Sequence, residues 1–344
     1  MTRILYSIAN EGMGHATRAE VMVPELAKRH EVLLLAGGRR YDHLKKFHRN
    51  ILRIHDFDLV YTNNSVNIFA SFIRNLFRFP FILLSFVSKL KAILRFRPQV
   101  IISDFEPLSN YLSYILKVLL ISLDNQHVSA KCIVHIPQEF RKTHRLSAWV
   151  MSFIISNAQQ YVITSFFPAK PRAKNVIVLP PIIRNSIRAA QSKSGPYIFV
   201  YQTSESNSKL IPALRRTPHQ YIFYGKRSGK EGNIIFKKFN EGDFVKDLAS
   251  CRAVITNGGF QLISEAIFLH KPILSIPIRG QFEQVLNAME VKRQGFGTYV
   301  FDVDSSAIEG FITNLSEYRK GLKRFIKYGN SELVGKLQRI IDSI

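Results

Sequence analysis

The sequence predicts an α/β fold built from two doubly wound, Rossmann-like domains facing across a cleft. Three observations carry that expectation. Short β-branched runs alternate with segments of helical spacing along most of the chain, which is how parallel sheets wrapped by helices are encoded. The 344 residues suffice for two cores of ordinary size. The alternation weakens once, at residues 180–196 ("LPPIIRNSIRAAQSKSGP" and its start), where Pro, Ser and Gly gather as in a linker. The expected division is residues 1–185 and 186–344, with the closing helices able to pack back on the first domain.

Taken in order, the strand runs of the first half are "RILYSI", "EVLLLA", "QVIIS", "VLLIS" and "YVIT". Nearly continuous Val, Ile and Leu over four to six residues suits strands covered on both faces. "YIFVY", "QYIFY", "AVIT" and "PILSI" repeat the pattern in the second half. Residues 66–98 read as two amphipathic helices broken at Pro80, with Phe69, Phe72, Leu76 and Phe77 on one face of the first and Arg74 and Arg78 at its border. The tail from residue 318 has helical spacing with a break near Gly329.

Composition narrows the class. With 46% hydrophobic and 21% charged residues the chain is globular rather than disordered. Cys132 and Cys251 stand far apart, without metal-ligand spacing, as in a reducing, cytoplasmic setting. No run approaches the roughly 20 apolar residues that span a bilayer. Lys and Arg number 48 against 25 Asp and Glu, a net +23, and residues 59–103 and 140–204 contain no acid. Such stretches cannot neutralise themselves, so a polyanion is expected: nucleic acid, an anionic membrane or a phosphorylated substrate.

"NEGMGHATR", residues 10–18, follows the first strand. The turn Gly12-Met13-Gly14 leading into a helix brings backbone amides toward whatever lies above the sheet edge. No third glycine completes a dinucleotide fingerprint and no Gly-Lys-Ser/Thr completes a phosphate loop. His15 remains, as a helix-packing residue or as a side chain able to exchange a proton near neutral pH.

A second constellation occupies residues 254–288. A strand ends in Asn257-Gly258-Gly259 and a helix opens, so amides at its start can approach a diphosphate favoured by the helix dipole. Glu265, six residues on, can accept from a ribose diol. Glu283, Gln284 and Asn287 open the next helix and can contact sugar hydroxyls.

The order N-G-G-F-x-x-x-S-E-A, K-P-x-L-x-x-P, E-Q-x-x-N-A resembles the donor half of two-domain, GT-B nucleotide-sugar glycosyltransferases. It is most similar to family 28, the group of the peptidoglycan N-acetylglucosaminyltransferase and the galactolipid synthases; the opening G-x-G-H-x-x-R resembles that group's acceptor-side loop. The resemblance spans residues 3–330. It implies that Glu265 binds ribose, that Gly258, Gly259 and Phe260 offer amides to the diphosphate, and that Glu283 and Gln284 touch the donor sugar while Asn287 supports the loop. Thr203 and Ser204 fall where phosphate contacts are expected, although the usual glycines are absent. The nucleobase is expected against residues 239–244.

Inverting transfer needs a base, for which His15 is the candidate, with Asp104 of "IISDFEP" orienting it and Glu106 as the competing base. Asp104 as a helix cap is the structural alternative. Arg18 or Lys226 could offset leaving-group charge. Gly12, Gly14, Arg18, Asp124 and Asn125 are expected on the acceptor side, Asp124 and Asn125 in "LDNQHVSA". Asp302 and Asp304 form a D-x-D before a helix and read as a cap, so no metal and no cofactor beyond the nucleotide sugar, a UDP-sugar, is expected. The basic, aromatic residues 66–98 point to an anionic membrane surface and a lipid or glycan acceptor, with the protein on the inner face of the cell membrane. The alternatives are a UDP-sugar 2-epimerase of the same fold and a basic protein binding nucleic acid or membrane without catalysis. No nucleic-acid motif favours a nucleic-acid partner.

Overall fold

The computed structural model describes residues 1–9, 12–55, 60–62, 64–202 and 207–343. The chain falls into two compact units. Met1–Val60, Ile68–Ile182 and Gly329–Ile344 form unit 1, while Tyr61–Asn67 and Ile183–Tyr328 form unit 2.

Among the described residues, unit 1 carries a seven-stranded parallel sheet: β1 (Arg3–Ile8), β2 (Glu31–Gly37), β3 (Ile51–Ile54), β4 (Val100–Asp104), β5 (Leu119–Asp124), β6 (Gln160–Thr164) and β7 (Val176–Leu179). Their spatial order is β7-β6-β5-β4-β1-β2-β3. The helices are α1 (Gly14–Ala27), α2 (Gly38–Leu44), α3 (Ile68–Phe96), α4 (Pro107–Leu116), α5 (Val128–Lys131) and α6 (Arg141–Ile154). The strand order reverses between β1 and β4, and at such a switch point the loops leaving the carboxyl ends part to leave a crevice.

Unit 2 repeats the plan. α7 (Asn185–Ala189) leads into β8 (Tyr197–Tyr201), followed by α8 (Leu210–Arg215), β9 (Gln220–Gly225), β10 (Gly229–Glu231) and β11 (Ile234–Lys238). Then come α9 (Glu241–Ser250), β12 (Ala253–Thr256), α10 (Phe260–Phe268), β13 (Ile273–Ser275), α11 (Phe282–Arg293), β14 (Gly297–Tyr299), α12 (Ser305–Thr313) and α13 (Leu315–Lys323). The order β10-β11-β9-β8-β12-β13-β14 places its switch point between β8 and β12. The last helix, α14 (Ser331–Asp342), belongs to unit 1. Its Leu333, Leu337 and Ile341 join Ile4, Met22 and Leu26 in one buried core. The two doubly wound sheets foreseen in the sequence are therefore present.

Local chemistry explains the helix starts. Glu106 caps α4, accepting from the amides of Leu108 and Ser109 at 2.8 and 2.7 Å, ahead of Pro107. Asp304 caps α12 through the Ala307 amide at 2.7 Å, as its position before "SSAIEGF" suggested.

One element differs from expectation. Residues 68–96 form a single 29-residue helix that runs through Pro80. A proline removes one amide and frees the carbonyl four residues back. Here Leu76, Phe79 and Pro80 are all exposed, so water can take up that bond and the helix continues.

Candidate functional site

Parallel pairing sets Ile8 of β1 beside Asp104 of β4, and the Ala9 amide donates to the Asp104 carbonyl at 3.0 Å. The chain then turns through Gly12, whose φ of +65° is a left-handed value that glycine adopts without strain, and enters α1 at Gly14. His15 and Arg18, three residues apart, lie on one side of that helix. The turn thus delivers both side chains to the carboxyl end of β4 at the switch point.

Their geometry is close. His15 Nδ1 stands 2.7 Å from Asp104 Oδ1. Arg18 donates through Nε to Asp104 Oδ2 at 2.9 Å and through an Nη to Oδ1 at 2.5 Å, while its other Nη reaches Asn125 Oδ1 at 3.1 Å. An ionised carboxylate can only accept, so the 2.7 Å contact places a proton on Nδ1, and the Arg18 Nη that lies 3.0 Å from Nδ1, itself only a donor, makes no hydrogen bond there in that tautomer. That proton leaves the lone pair on Nε2, where the Gln126 amide nitrogen lies at 3.4 Å. Burial pushes the Asp104 carboxyl up, and the charges of Arg18 and His15 more than reverse this, leaving it below its usual range. Burial works against the Arg18 cation as well, and Asp104 outweighs it.

Three expectations on this side are corrected. Glu106 is not a base at the site: it is fully buried and both carboxylate oxygens accept backbone amides at the start of α4. Arg18 cannot face a departing diphosphate, because it is buried with its guanidinium on Asp104 and Asn125. Asp124 does not line an acceptor surface; it is 1% exposed and holds His127, whose Nδ1 lies 2.7 Å away and whose amide donates at 2.9 Å. Asn125 does meet the cluster, through Arg18. Gln126 belongs there too, and its place after β5 was the only sequence signal for it.

In unit 2, β12 ends at Thr256 and Asn257 donates to the Ile276 carbonyl at 3.1 Å, fixing the loop. The expected amide of Gly258 is engaged: it donates to Gln284 Oε1 at 3.1 Å, which also accepts the Ile278 amide at 3.1 Å. Gln284 is thereby a loop brace rather than a sugar contact. Asn287 supports the same loop by donating to the Gly258 carbonyl at 2.9 Å. Gly258 tolerates no side chain, since an added Cβ would meet Gln284 Cα at 2.6 Å, whereas Gly259 has nothing within 4 Å of that position. Gly259 begins α10 without any side-chain cap, and Phe260 follows, buried. Glu283 is half-buried in the first turn of α11.

Glu265 is held by a residue that sequence reasoning missed. Arg184 donates through Nε to Oε1 at 2.8 Å and through an Nη to Oε2 at 2.6 Å, and Gln261 adds a bond to Oε1 at 2.9 Å. Of roughly four acceptor sites on a carboxylate, these three bonds leave about one, so a two-bond grip on a ribose diol is not available in this arrangement. Arg184 also lies over Phe244 at 5.5 Å. Phe244 is buried among Phe199, Tyr201 and Tyr224, and Asn240 caps α9 beside it; within residues 239–244, the segment expected against a nucleobase, Phe244 is core while Phe239 is exposed. Lys226 lines a cavity of about 350 Å³ with Gln202, Asn207, Arg215 and Arg227, beyond the ends of β8 and β9. Thr203 and Ser204 lie outside the described residues. Asp302 is held between Lys209 and Arg279, at 3.1 and 2.6 Å.

Comparison with known proteins agrees with this architecture. The family described as Glycosyl transferase family 1 matches residues 2–316. A protein of Methanosarcina acetivorans described as an uncharacterized glycosyltransferase is 24% identical over 323 residues, covering 86% of this chain and 84% of its own. Among solved structures, the spinosyn forosaminyltransferase SpnP superimposes with a TM-score of 0.68 at 13% identity, covering 99% of each chain. Phytolacca americana UGT2, solved with UDP-2-fluoro-glucose and pterostilbene, gives 0.68 at 13% identity over 100% of this chain and 99% of that one. These likenesses extend across both units and show the GT-B fold. The narrower likeness to family 28 rests on the sequence motifs alone.

Proposed function

The chain belongs to glycosyl transferase family 1 and is a glycosyltransferase; from that premise we propose that it moves a sugar from a UDP-sugar to an acceptor hydroxyl with inversion, His15 acting as the base. The reading rests chiefly on the 2.7 Å contact between His15 Nδ1 and Asp104 at the unit 1 switch point. The acceptor hydroxyl gives its proton to Nε2 as its oxygen bonds to the anomeric carbon, and the bond from that carbon to the diphosphate oxygen breaks. Asp104 stabilises the imidazolium formed. An acceptor must replace the long Gln126 contact to reach Nε2. The diphosphate leaves toward Gly259 and the first turn of α10, where the helix dipole favours its charge, with Lys226 as the cation. The remaining acceptor site of Glu265 would take one ribose hydroxyl, and Glu283 the donor sugar. UDP comes to this reading from the UGT2 complex and from the motif resemblance.

The test is turnover of a panel of UDP-sugars with simple alcohols and lipid-linked acceptors, wild type against His15→Asn. Release of UDP that depends on both acceptor and His15 supports the reading. Conversion of UDP-N-acetylglucosamine with no acceptor present would instead indicate the epimerase. Donors are found first by thermal shift, since a ligand at a hundred times its Kd adds about 2.7 kcal/mol.

The membrane reading draws support from α3. Ser71 and Ser85 face inward, their hydroxyls accepting the amides of Val60 and His55 at 2.9 and 3.0 Å, beside buried Ile82 and Ile93. Phe69, Phe72, Phe77, Phe81 and Leu84 face outward and are each 63–76% exposed, and the exposed cations Lys91 and Arg95 follow in the last turns of the same helix. An apolar outer face edged by cations suits the surface of an anionic bilayer, and with it a lipid acceptor on the inner face of the cell membrane. No described helix is long and apolar enough to cross a membrane. Sedimentation with anionic vesicles, reversed by salt, is the expected result; indifference to both vesicles and salt would remove this part of the proposal.

A further inference from the structure

A second helix of unit 1 is also turned inside out. α6 is anchored by polar contacts: His144 Nε2 donates to the Ser129 carbonyl at 2.9 Å, His127 Nε2 meets the Met151 carbonyl at 3.2 Å, and Ser129 Oγ reaches Met151 Sδ at 3.3 Å. The opposite side carries Leu146, Trp149, Val150 and Phe153, spaced three and four apart so that they form one stripe. Leu146, Trp149 and Phe153 are each more than 60% exposed, and the Trp149 and Phe153 rings stack with centroids 5.9 Å apart. At 1.5 Å per residue the stripe from Leu146 to Phe153 runs about 11 Å along the helix. Soluble surfaces rarely leave so many large apolar side chains contiguous without a partner.

The neighbouring charges identify that partner. Arg141, Lys142 and Arg145 are all exposed in the first turns of α6, and no acid occurs between residues 140 and 204. α4 is tied to the far end of α6, Asn110 Oδ1 accepting the amides of Ser156 and Asn157 at 3.1 and 3.0 Å. It adds exposed Tyr114 and Ile115, followed by exposed Lys117. Tryptophan, tyrosine and phenylalanine among cations, with the polar side of the helix fixed to the protein, is the chemistry of the headgroup boundary of an anionic bilayer. A protein partner would need a matching acidic and apolar face, and a second copy of this chain brings the same cations to its own stripe.

We propose that α6 docks into an anionic membrane through Leu146, Trp149, Val150 and Phe153, as a lipid contact separate from α3. This rests on the membrane reading given above and deepens it. With two such contacts, unit 1 would be held at a set orientation to the bilayer instead of rolling on one helix axis.

Trp149 is the sole tryptophan of the chain, so its emission reports on α6 with no label. The full-length protein is titrated with phosphatidylglycerol and with phosphatidylcholine vesicles while sedimentation and fluorescence are read together. Expected are binding to phosphatidylglycerol, a blue shift of Trp149, and quenching by lipids brominated along the acyl chain. Phe153→Ser should weaken partitioning about tenfold or more and leave the melting curve in place, because the side chain is exposed. Sedimentation with no spectral change and no bromine quenching would overturn the α6 proposal while leaving the α3 reading standing. Absence of sedimentation would remove both. A blue shift that grows with protein concentration without vesicles, together with a doubled mass, would assign the stripe to self-association and overturn lipid docking.

Discussion

Arg18 closes on Asp104 with the Nε–Nη edge of its guanidinium, at 2.9 and 2.5 Å, on the same carboxylate that holds His15. The two residues are 2% and 0% exposed, so neither charge has water to fall back on. Removing one member of such a pair strands the other. Arg18→Met should therefore lower unfolding free energy by about 3 kcal/mol and reduce turnover, as Asp104 loses the contact that fixes it. Arg18→Lys keeps the charge without the planar two-point grip and should fall between. Urea denaturation of the three proteins measures the order, and equal midpoints would contradict it.

His15 can be removed more safely than its partner. In His15→Asn, Asp104 keeps Arg18, so the expected stability change is below about 1.5 kcal/mol, that of one hydrogen bond. The expected loss of kcat is 10²- to 10⁴-fold, roughly the share of a general base, with donor affinity unchanged. Asp104→Asn leaves the buried Arg18 cation without a counter-charge and should destabilise as well as inactivate. Steady-state kinetics beside melting curves distinguishes the two.

The paired glycines should respond in opposite ways. Gly258→Ala forces a methyl against the backbone of Gln284 and should cost about 1–3 kcal/mol in stability. Gly259→Ala meets no atom, and its φ of −66° suits alanine, so the fold should be untouched. A methyl there stands where the diphosphate is proposed to lie. Donor Kd should rise at Gly259→Ala with no change in melting temperature, and an unaltered Kd would argue against that placement.

Acid should weaken unit 1 through Asp124. Burial raises its carboxyl, but the neighbouring His127 outweighs this and brings it down to about 2. A group whose folded value lies below its unfolded value of about 3.9 adds stability above that pH and loses it as pH falls through the folded value. About 2 kcal/mol should disappear between roughly pH 4 and pH 2, and Asp104 acts in the same direction. Asp124→Asn should flatten this part of the stability curve in chemical denaturation at stepped pH.

Much of the architecture was legible because buried parallel strands carry long β-branched runs. All nine runs read as strands contribute to the two sheets. The edge and near-edge strands β3, β10, β11 and β14 escaped, since half-exposed edges mix Arg, Lys and Gly into the pattern, and β7 escaped as a run of only four residues. That His15 and Asp104 would meet was legible because strand ends and glycine turns mark where a sheet opens. Arg184 was not, although it grips Glu265, because its bond crosses 81 residues and no local spacing encodes such a distance. The same limit hid the roles of Gln284 and Glu106: a polar residue near a site looks alike whether it faces ligand or braces backbone.

The position of α14 bears on how the protein is made. Leu333, Leu337 and Ile341 complete the core around β1, yet the ribosome adds them only after every strand of unit 2. Unit 1 must wait with an open apolar seam while some 150 residues are synthesised. Chaperone occupancy during translation should therefore persist until α14 emerges, and chains stalled before it should remain protease-sensitive in the first unit although most of its sequence is already outside the tunnel.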